Sequence, residues 1–293
     1  MKTYLDCIPC FFKQGLDAAR IITQDKVIQK KILDEIAMVV PEFSLNSTPP
    51  EMGRIIHKIV RKFTHSSDPY KKIKDKYNKA ALKLYPELKK KVRKSKDPLL
   101  TAIKIAIAGN VIDFGVNEVR KKINLGKELK NTLEQNFAIL DYDKLKNCLE
   151  KTKEILYLGD NTGEIVFDRI LIEELPQKVI YVVRDKPIIN DVTIEDALFC
   201  RIDKVAKVIS SGCDAPGTIL RYCSKEFLNY YTKTKLIISK GQGNYETLSE
   251  EKRPIFFLLK AKCPVIARNL GCRVGDIILK TQGSGYTEIN PST

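Results

Sequence analysis

Leu158-Gly159-Asp160-Asn161-Thr162-Gly163-Glu164 is the stretch that decides how this chain reads. It closes an apolar run over 155–158 and opens an amphipathic run over 165–175, so a strand ends in a turn carrying an acid and an amide, and a helix begins. Open α/β sheets place their chemistry at such strand ends. Asp160 and Asn161 therefore read as paired oxygen donors at the mouth of a sheet, with a helix cap as the plainer role for Asp160.

Downstream, short β-branched runs predict strands over 154–158, 179–183, 205–209, 236–239 and 265–267, with a further apolar run at 255–259. Helices are expected over 164–175, 194–200 and 217–231, with a short one after Asn244. Such alternation builds βαβ units and a mostly parallel sheet covered on both faces. Upstream the pattern is helical over 10–24, 26–39, 50–64, 68–94 and 98–114, punctuated by Pro41, Pro49, Pro50, Pro69 and Pro98. No stretch there alternates with period two for long, so strands are not expected. The predicted class is α/β: a three-layer α/β/α sandwich with a mostly parallel sheet plus an N-terminal helical region. Residues 1–150 form a helical domain contributing to the site, and 151–293 an α/β, Rossmann-like metal-binding domain.

Polar groups recur after successive predicted strands, and a parallel sheet delivers them to one edge. Asp160 and Asn161 follow the first, Arg184, Asn190 and Asp191 the second, Ser210 to Asp214 the third, and Lys240 to Asn244 the fourth. Asp160, Asn161 and Asp191 are hard oxygen donors, which suit Mg²⁺ or Mn²⁺ with waters completing the shell. The two histidines, His57 and His65, both fall in the helical half, which argues against a histidine-rich zinc hydrolase. Lys240 among Gly241, Gly243 and Asn244 offers a cation and close backbone amides to a phosphate, without the spacing of a P-loop. Asp214, in Gly212-Cys213-Asp214-Ala215-Pro216-Gly217, lies in either a phosphate-accommodating turn or a structural one.

The run over 99–108 is apolar nearly all round, as a buried helix is. Asn110 and Asp113, three apart beyond it, share a face and serve as caps or as part of a site. Eight cysteines are scattered through a chain of 293 residues, too long to need disulfide staples. Only Cys7-Ile8-Pro9-Cys10 has a spacing of note, for which a role beside a site competes with packing at a helix start.

The net charge of +15 is concentrated over 51–100, where 16 Lys and Arg stand against 5 Asp and Glu. Lys71, Lys72, Lys74, Lys76, Lys79 and Lys83 interleave with apolar residues at helical spacing, giving a lysine-coated outer face. Such a face is read as solvated; it can steer small anions and makes nucleic acid an unlikely partner. No run reaches the roughly 18 apolar residues of a membrane span. The N-terminus lacks the unbroken apolar stretch of a signal peptide, so a cytoplasmic protein without a membrane partner is expected.

Taken together, these segments resemble the metal-dependent damage-control phosphatases, a family once described only as a domain of unknown function, and in particular the branch with an N-terminal CxxC. The matching pieces are Asp6-Cys7-Ile8-Pro9-Cys10, Gly109-Asn110-Val111-Ile112-Asp113-Phe114-Gly115, Gly159-Asp160-Asn161-Thr162-Gly163-Glu164, Ile189-Asn190-Asp191-Val192-Thr193 and Lys240-Gly241-Gln242-Gly243-Asn244-Tyr245-Glu246. The resemblance implies a divalent metal (Mn²⁺, Ni²⁺, Mg²⁺ or Co²⁺) on Asp160, Asn161 and Asp191. It implies that Lys240 contacts the substrate phosphate, with Gly241, Asn244 and Asp214 beside it. It also implies that Asn110 and Asp113 lie near the site, with Asp191 and Asp113 as candidate bases. The expected substrate is a small phosphorylated metabolite, a damaged or off-pathway sugar phosphate or nucleotide. Two rivals are an S-adenosylmethionine-dependent carboxyl methyltransferase and a basic nucleic-acid-binding protein. Neither the natural substrate nor the oligomeric state is encoded in these motifs.

Overall fold

The structure is a computed structural model that describes residues 1–109 and 125–282. Five helices come first: α1 (Cys7–Ile22), α2 (Lys26–Val39), α3 (Pro49–Thr64), α4 (Lys71–Arg93) and α5 (Pro98–Ala108). Local chemistry sets their ends. Thr48 and Glu51 form a capping box at the start of α3, and Asp97 accepts from Leu100 N at 2.9 Å at the start of α5. Then follow α6 (Leu125–Glu134), β1 (Phe137–Leu140), α7 (Tyr142–Glu150), β2 (Glu154–Leu158), α8 (Glu164–Ile172), β3 (Lys178–Val183) and α9 (Ile194–Phe199). The described residues close with β4 (Lys207–Ser210), α10 (Lys225–Lys233), β5 (Leu236–Lys240), α11 (Gln242–Leu248), β6 (Ile255–Lys260), α12 (Pro264–Leu270) and β7 (Ile277–Gln282).

The strands form one seven-stranded sheet in the order β1-β7-β6-β5-β2-β3-β4, and only β6 and β7 pair antiparallel. Period-two alternation divides the core. Ile155 and Tyr157 of β2, with Val179 and Tyr181 of β3, point to the side covered by α4, α5, α7 and α8. Leu156, Leu158, Ile180 and Val182 point to the side covered by α10, α11 and α12. This is the expected three-layer α/β/α arrangement. Helices α1 to α3 enclose a core of their own around Phe11, Ile32, Ile36, Met52 and Ile56.

Three local expectations differ from the structure. The segment at 265–267 is helical, within α12, because Pro264 occupies the first turn and Gly271, at φ 70°, ends it in the left-handed region. A strand, β1, lies before residue 150, too short at four residues to show a pattern, and is held by its pairing with β7. The helix expected over 217–231 is a loop with one 3₁₀ turn followed by α10.

The lysine-rich helix also differs in part from a solvated face. Lys74, Asn78, Ala81, Leu88 and Val92 recur along its inner side and are buried. Lys74 is 1% exposed, with its ammonium 2.9 Å from Asp196 and 3.2 Å from Asp68. Among the described residues, no helix is long and apolar enough to cross a membrane.

Candidate active site

Parallel pairing of β2, β3, β4 and β5 brings their C-terminal turns to one edge, as the strand-end pattern requires. Backbone hydrogen bonds join the first two turns. Thr162 N donates to Asn190 O at 2.9 Å, Val192 N to Asp160 O at 2.9 Å, and Arg184 N to Val192 O at 2.9 Å. Asn161 and Asp191 sit across an isolated antiparallel bridge. Asp160, Asn161 and Asp191 thus stand together, each 4–6% exposed, at the mouth of the sheet.

Acids crowd this corner. Asn161 Nδ2 donates to Asp160 Oδ2 at 2.5 Å and to Glu164 Oε2 at 3.2 Å. Burial, then Glu164, then Asp191 push the Asp160 carboxyl well above the usual carboxylate range. Burial also raises Asp191, against the opposing pull of Arg184. Asp160 and Asp191 bring two buried carboxylates and Asn161 an amide to this corner, donor types that suit Mg²⁺ or Mn²⁺. Among the described residues, no group of three His, Cys, Asp or Glu side chains is arranged to hold a metal. A metal here therefore depends on the amide and on water.

Arg184 fixes this corner from behind. Its Nε donates to Asp191 Oδ2 at 2.7 Å, Nη1 to Thr218 Oγ1 at 3.0 Å and Nη2 to Asn244 Oδ1 at 3.0 Å. Asn244 Nδ2 in turn donates to Gly159 O at 3.1 Å and Lys240 O at 2.9 Å. Asn244 is fully buried and spans the ends of β2 and β5. One guanidinium thereby ties the turns after β3 and β4 to the start of α11 and, through Asn244, to the end of β2.

Lys240 ends β5 fully buried. Its ammonium donates to Glu164 Oε1 at 2.6 Å, to Ala106 O at 2.9 Å and, at closer range, to Asp168 Oδ1. Tyr157 and Tyr181, their rings stacked 5.4 Å apart, each donate to the Asp168 carboxylate at 2.8 Å. Burial alone lowers the Lys240 pKa, but Asp168 and Glu164 outweigh it and hold the ammonium charged. Burial raises Asp168 to about 6. Gly241 follows at φ 78°, and a Cβ there would lie 1.8 Å from Asp160 Oδ2. Only glycine allows this approach.

The helical region braces the rim. Gly163 N, at the start of α8, donates to Asn78 Oδ1 of α4 at 2.7 Å, and Asn78 Nδ2 donates to Asp196 at 3.2 Å. From α3, Arg61 donates to Pro187 O at 3.1 Å and Arg54 Nε pairs with Asp214. Asp214 is therefore partnered by a cation at the rim and not joined to the acid cluster. Cys7 and Cys10 lie in the first turn of α1; burial, then lesser effects including Glu246 and Cys263, raises the Cys7 thiol. Asn110 and Asp113 lie outside the described residues. Sequence reasoning missed the roles of Arg184, Glu164 and Asp168. The last two carried a signal: acids four apart on helix 164–172, apolar elsewhere except at Arg169, share one buried face.

Comparison with known proteins adds independent findings. Residues 3–278 match the family model described as the damage-control phosphatase ARMT1-like domain. A damage-control phosphatase of Pyrococcus horikoshii is 36% identical over 284 residues, covering 95% of this chain and 97% of that protein. One of Archaeoglobus fulgidus is 34% identical over 287 residues, covering 96% and 99%. An uncharacterised protein of Methanocaldococcus jannaschii is 40% identical over 292 residues, covering 95% of each. The crystal structure of a DUF89 family protein from P. horikoshii superposes with a TM-score of 0.85 at 37% identity, covering 95% of this chain and 98% of that one.

Proposed function

Because the chain belongs to the damage-control phosphatase ARMT1-like domain family, we propose that it is a metal-dependent phosphatase hydrolysing phosphate monoesters of small metabolites at the rim of β2, β3 and β5. The observation that carries this reading is the joining of Asp160-Asn161 to Asp191 by backbone hydrogen bonds, over a buried, charged Lys240. Two oxygen-rich turns and one lysine meet where the sheet opens.

Asp160, Asn161 and Asp191 would hold the divalent ion, Mn²⁺, Ni²⁺, Mg²⁺ or Co²⁺. Such an ion, when bound, supplies Lewis-acid polarisation of a phosphoryl oxygen and a water of lowered pKa. Arg184 orients Asp191 through their 2.7 Å contact and opposes the rise that burial imposes on its carboxyl. Lys240, expected to contact the substrate phosphate, has its buried ammonium committed to Glu164, Asp168 and Ala106 O, so a phosphate contact requires it to exchange one of these partners. Its ion pairs with Glu164 and Asp168 hold the ammonium in place before substrate arrives. Gly241 and Asn244 shape the β5 turn around the Asp160 carboxylate. Asp191 is a candidate base; Asp113 and Asn110, which the family resemblance also implies, lie outside the described residues. The basic surface of α4 draws anionic metabolites toward the rim.

The test is phosphate release from p-nitrophenyl phosphate by purified protein across Mg²⁺, Mn²⁺, Co²⁺ and Ni²⁺. Turnover that requires metal, stops with chelator and is lost in Asp160→Ala supports the reading. Metal-independent turnover, or methyl transfer from S-adenosylmethionine without phosphate release, contradicts it.

A further inference from the structure

The loop of residues 212–223 leaves β4, supplies Thr218 to Arg184 and returns to the start of α10. Its neck is closed by backbone: Ser224 N donates to Ser211 O at 2.9 Å. Gly212, at φ 75°, lets the two limbs approach so closely that a Cβ there would meet Ser224 N at 2.6 Å. Just inside that neck, one on each limb, sit Cys213 and Cys223. Both are free thiols, and with Ala215 and Ile219 they form a small apolar cluster of their own. Cys213 is fully buried, while Cys223 is partly exposed.

We propose that Cys213 and Cys223 are a reversible dithiol/disulfide site that clips the neck of this loop and thereby fixes the segment carrying Thr218. The two side chains already pack together in that cluster, one from each limb of the closed neck. Each sulfur also faces a carbonyl within the loop, Cys213 to Gly217 O at 3.6 Å and Cys223 to Ile219 O at 3.4 Å. A disulfide needs its two side chains side by side, and a closed neck supplies that before any oxidant arrives.

The co-reactant is a small-molecule disulfide, and Cys223 is the sulfur it can reach. Cys223, partly exposed, gives up its proton to solvent and attacks one sulfur of the reagent, whose S–S bond breaks to release a thiolate. Cys213, deprotonated by solvent, then attacks Cys223 in the mixed disulfide and expels the second thiolate. Two protein thiols are oxidised to one disulfide, and one reagent disulfide is reduced to two thiols. A thiol reductant reverses both steps.

The experiment treats the reduced full chain with oxidised glutathione, unfolds it, alkylates the remaining thiols and maps the digested peptides by mass spectrometry. The expected result is a Cys213–Cys223 cross-link, both sulfurs lost to alkylation and regained after dithiothreitol. In Cys213→Ser the resolving thiol is gone, so Cys223 should keep one glutathione. Full alkylation of both sulfurs in the wild-type chain, a glutathione persisting on wild-type Cys223, or linkage of either cysteine to a different partner would overturn the proposal. Wild-type mapping stands without any variant.

Discussion

Gly241 packs so closely against the Asp160 carboxylate that a single added carbon would lie 1.8 Å from Oδ2. The backbone leaving β5 and the acid leaving β2 therefore share a contact that any side chain would break. Because Gly241 also holds φ 78°, Gly241→Ala carries both strain and overlap, at a cost of about 1–3 kcal/mol. Urea unfolding should show the loss, and metal affinity should fall with it, since Asp160 is the group displaced.

Arg184 and Asp191 form a buried ion pair, 1% and 5% exposed at their side chains. Removing one partner strands the other, so Arg184→Met should lower stability by about 3–5 kcal/mol. Arg184→Lys should recover only part, because one ammonium lacks the fork that reaches Asp191, Thr218 and Asn244 together. Equilibrium denaturation of the two variants measures the difference.

The structural role of Lys240 can be separated from the catalytic one proposed for it. Lys240→Met leaves Glu164 and Asp168 buried without their cation and should destabilise the fold. Adding Asp168→Asn removes one of the stranded charges and should restore part of the stability but none of the phosphatase turnover. Turnover returning together with stability would show that Lys240 serves only the fold.

His57 sets an acid limb. It is 2% exposed, packs edge-on against Tyr70 and has no hydrogen-bond partner at Nε2, and burial depresses its pKa from 6.5 to about 3. Between those values the unfolded chain binds the proton and the folded chain does not, so stability rises with pH across that window. The contribution is complete above pH 6.5 and disappears as pH falls toward 3. His57→Phe should flatten this dependence, by an amount on the order of a few kcal/mol at full extent. Urea midpoints at several pH values between 3 and 7 would reveal it.

Much of this architecture is legible in the sequence because its signals are local. The apolar runs of β2, β3 and β5, each followed by polar turns, read directly as a parallel sheet with a functional edge. What escapes is set by distant partners. Phe137-Ala138-Ile139-Leu140 becomes a strand only because β7 arrives beside it. Val265-Ile266-Ala267 is apolar and short, so periodicity leaves helix and strand equal, and Pro264 with Gly271 decides. The meeting of Asp160, Asn161 and Asp191 follows from recurrence at strand ends. The placing of Lys240 on Glu164, Asp168 and Ala106 does not, because it depends on α5 and α8 closing over β5.

The most direct measurement is calorimetric titration of Mn²⁺ into metal-stripped protein and into the Asp160→Ala/Asp191→Ala double variant, with folding of both checked by circular dichroism. One site on the wild-type chain, lost in the folded double variant, is the predicted result. Equal binding by the two proteins would contradict the assignment of Asp160, Asn161 and Asp191 as the metal site.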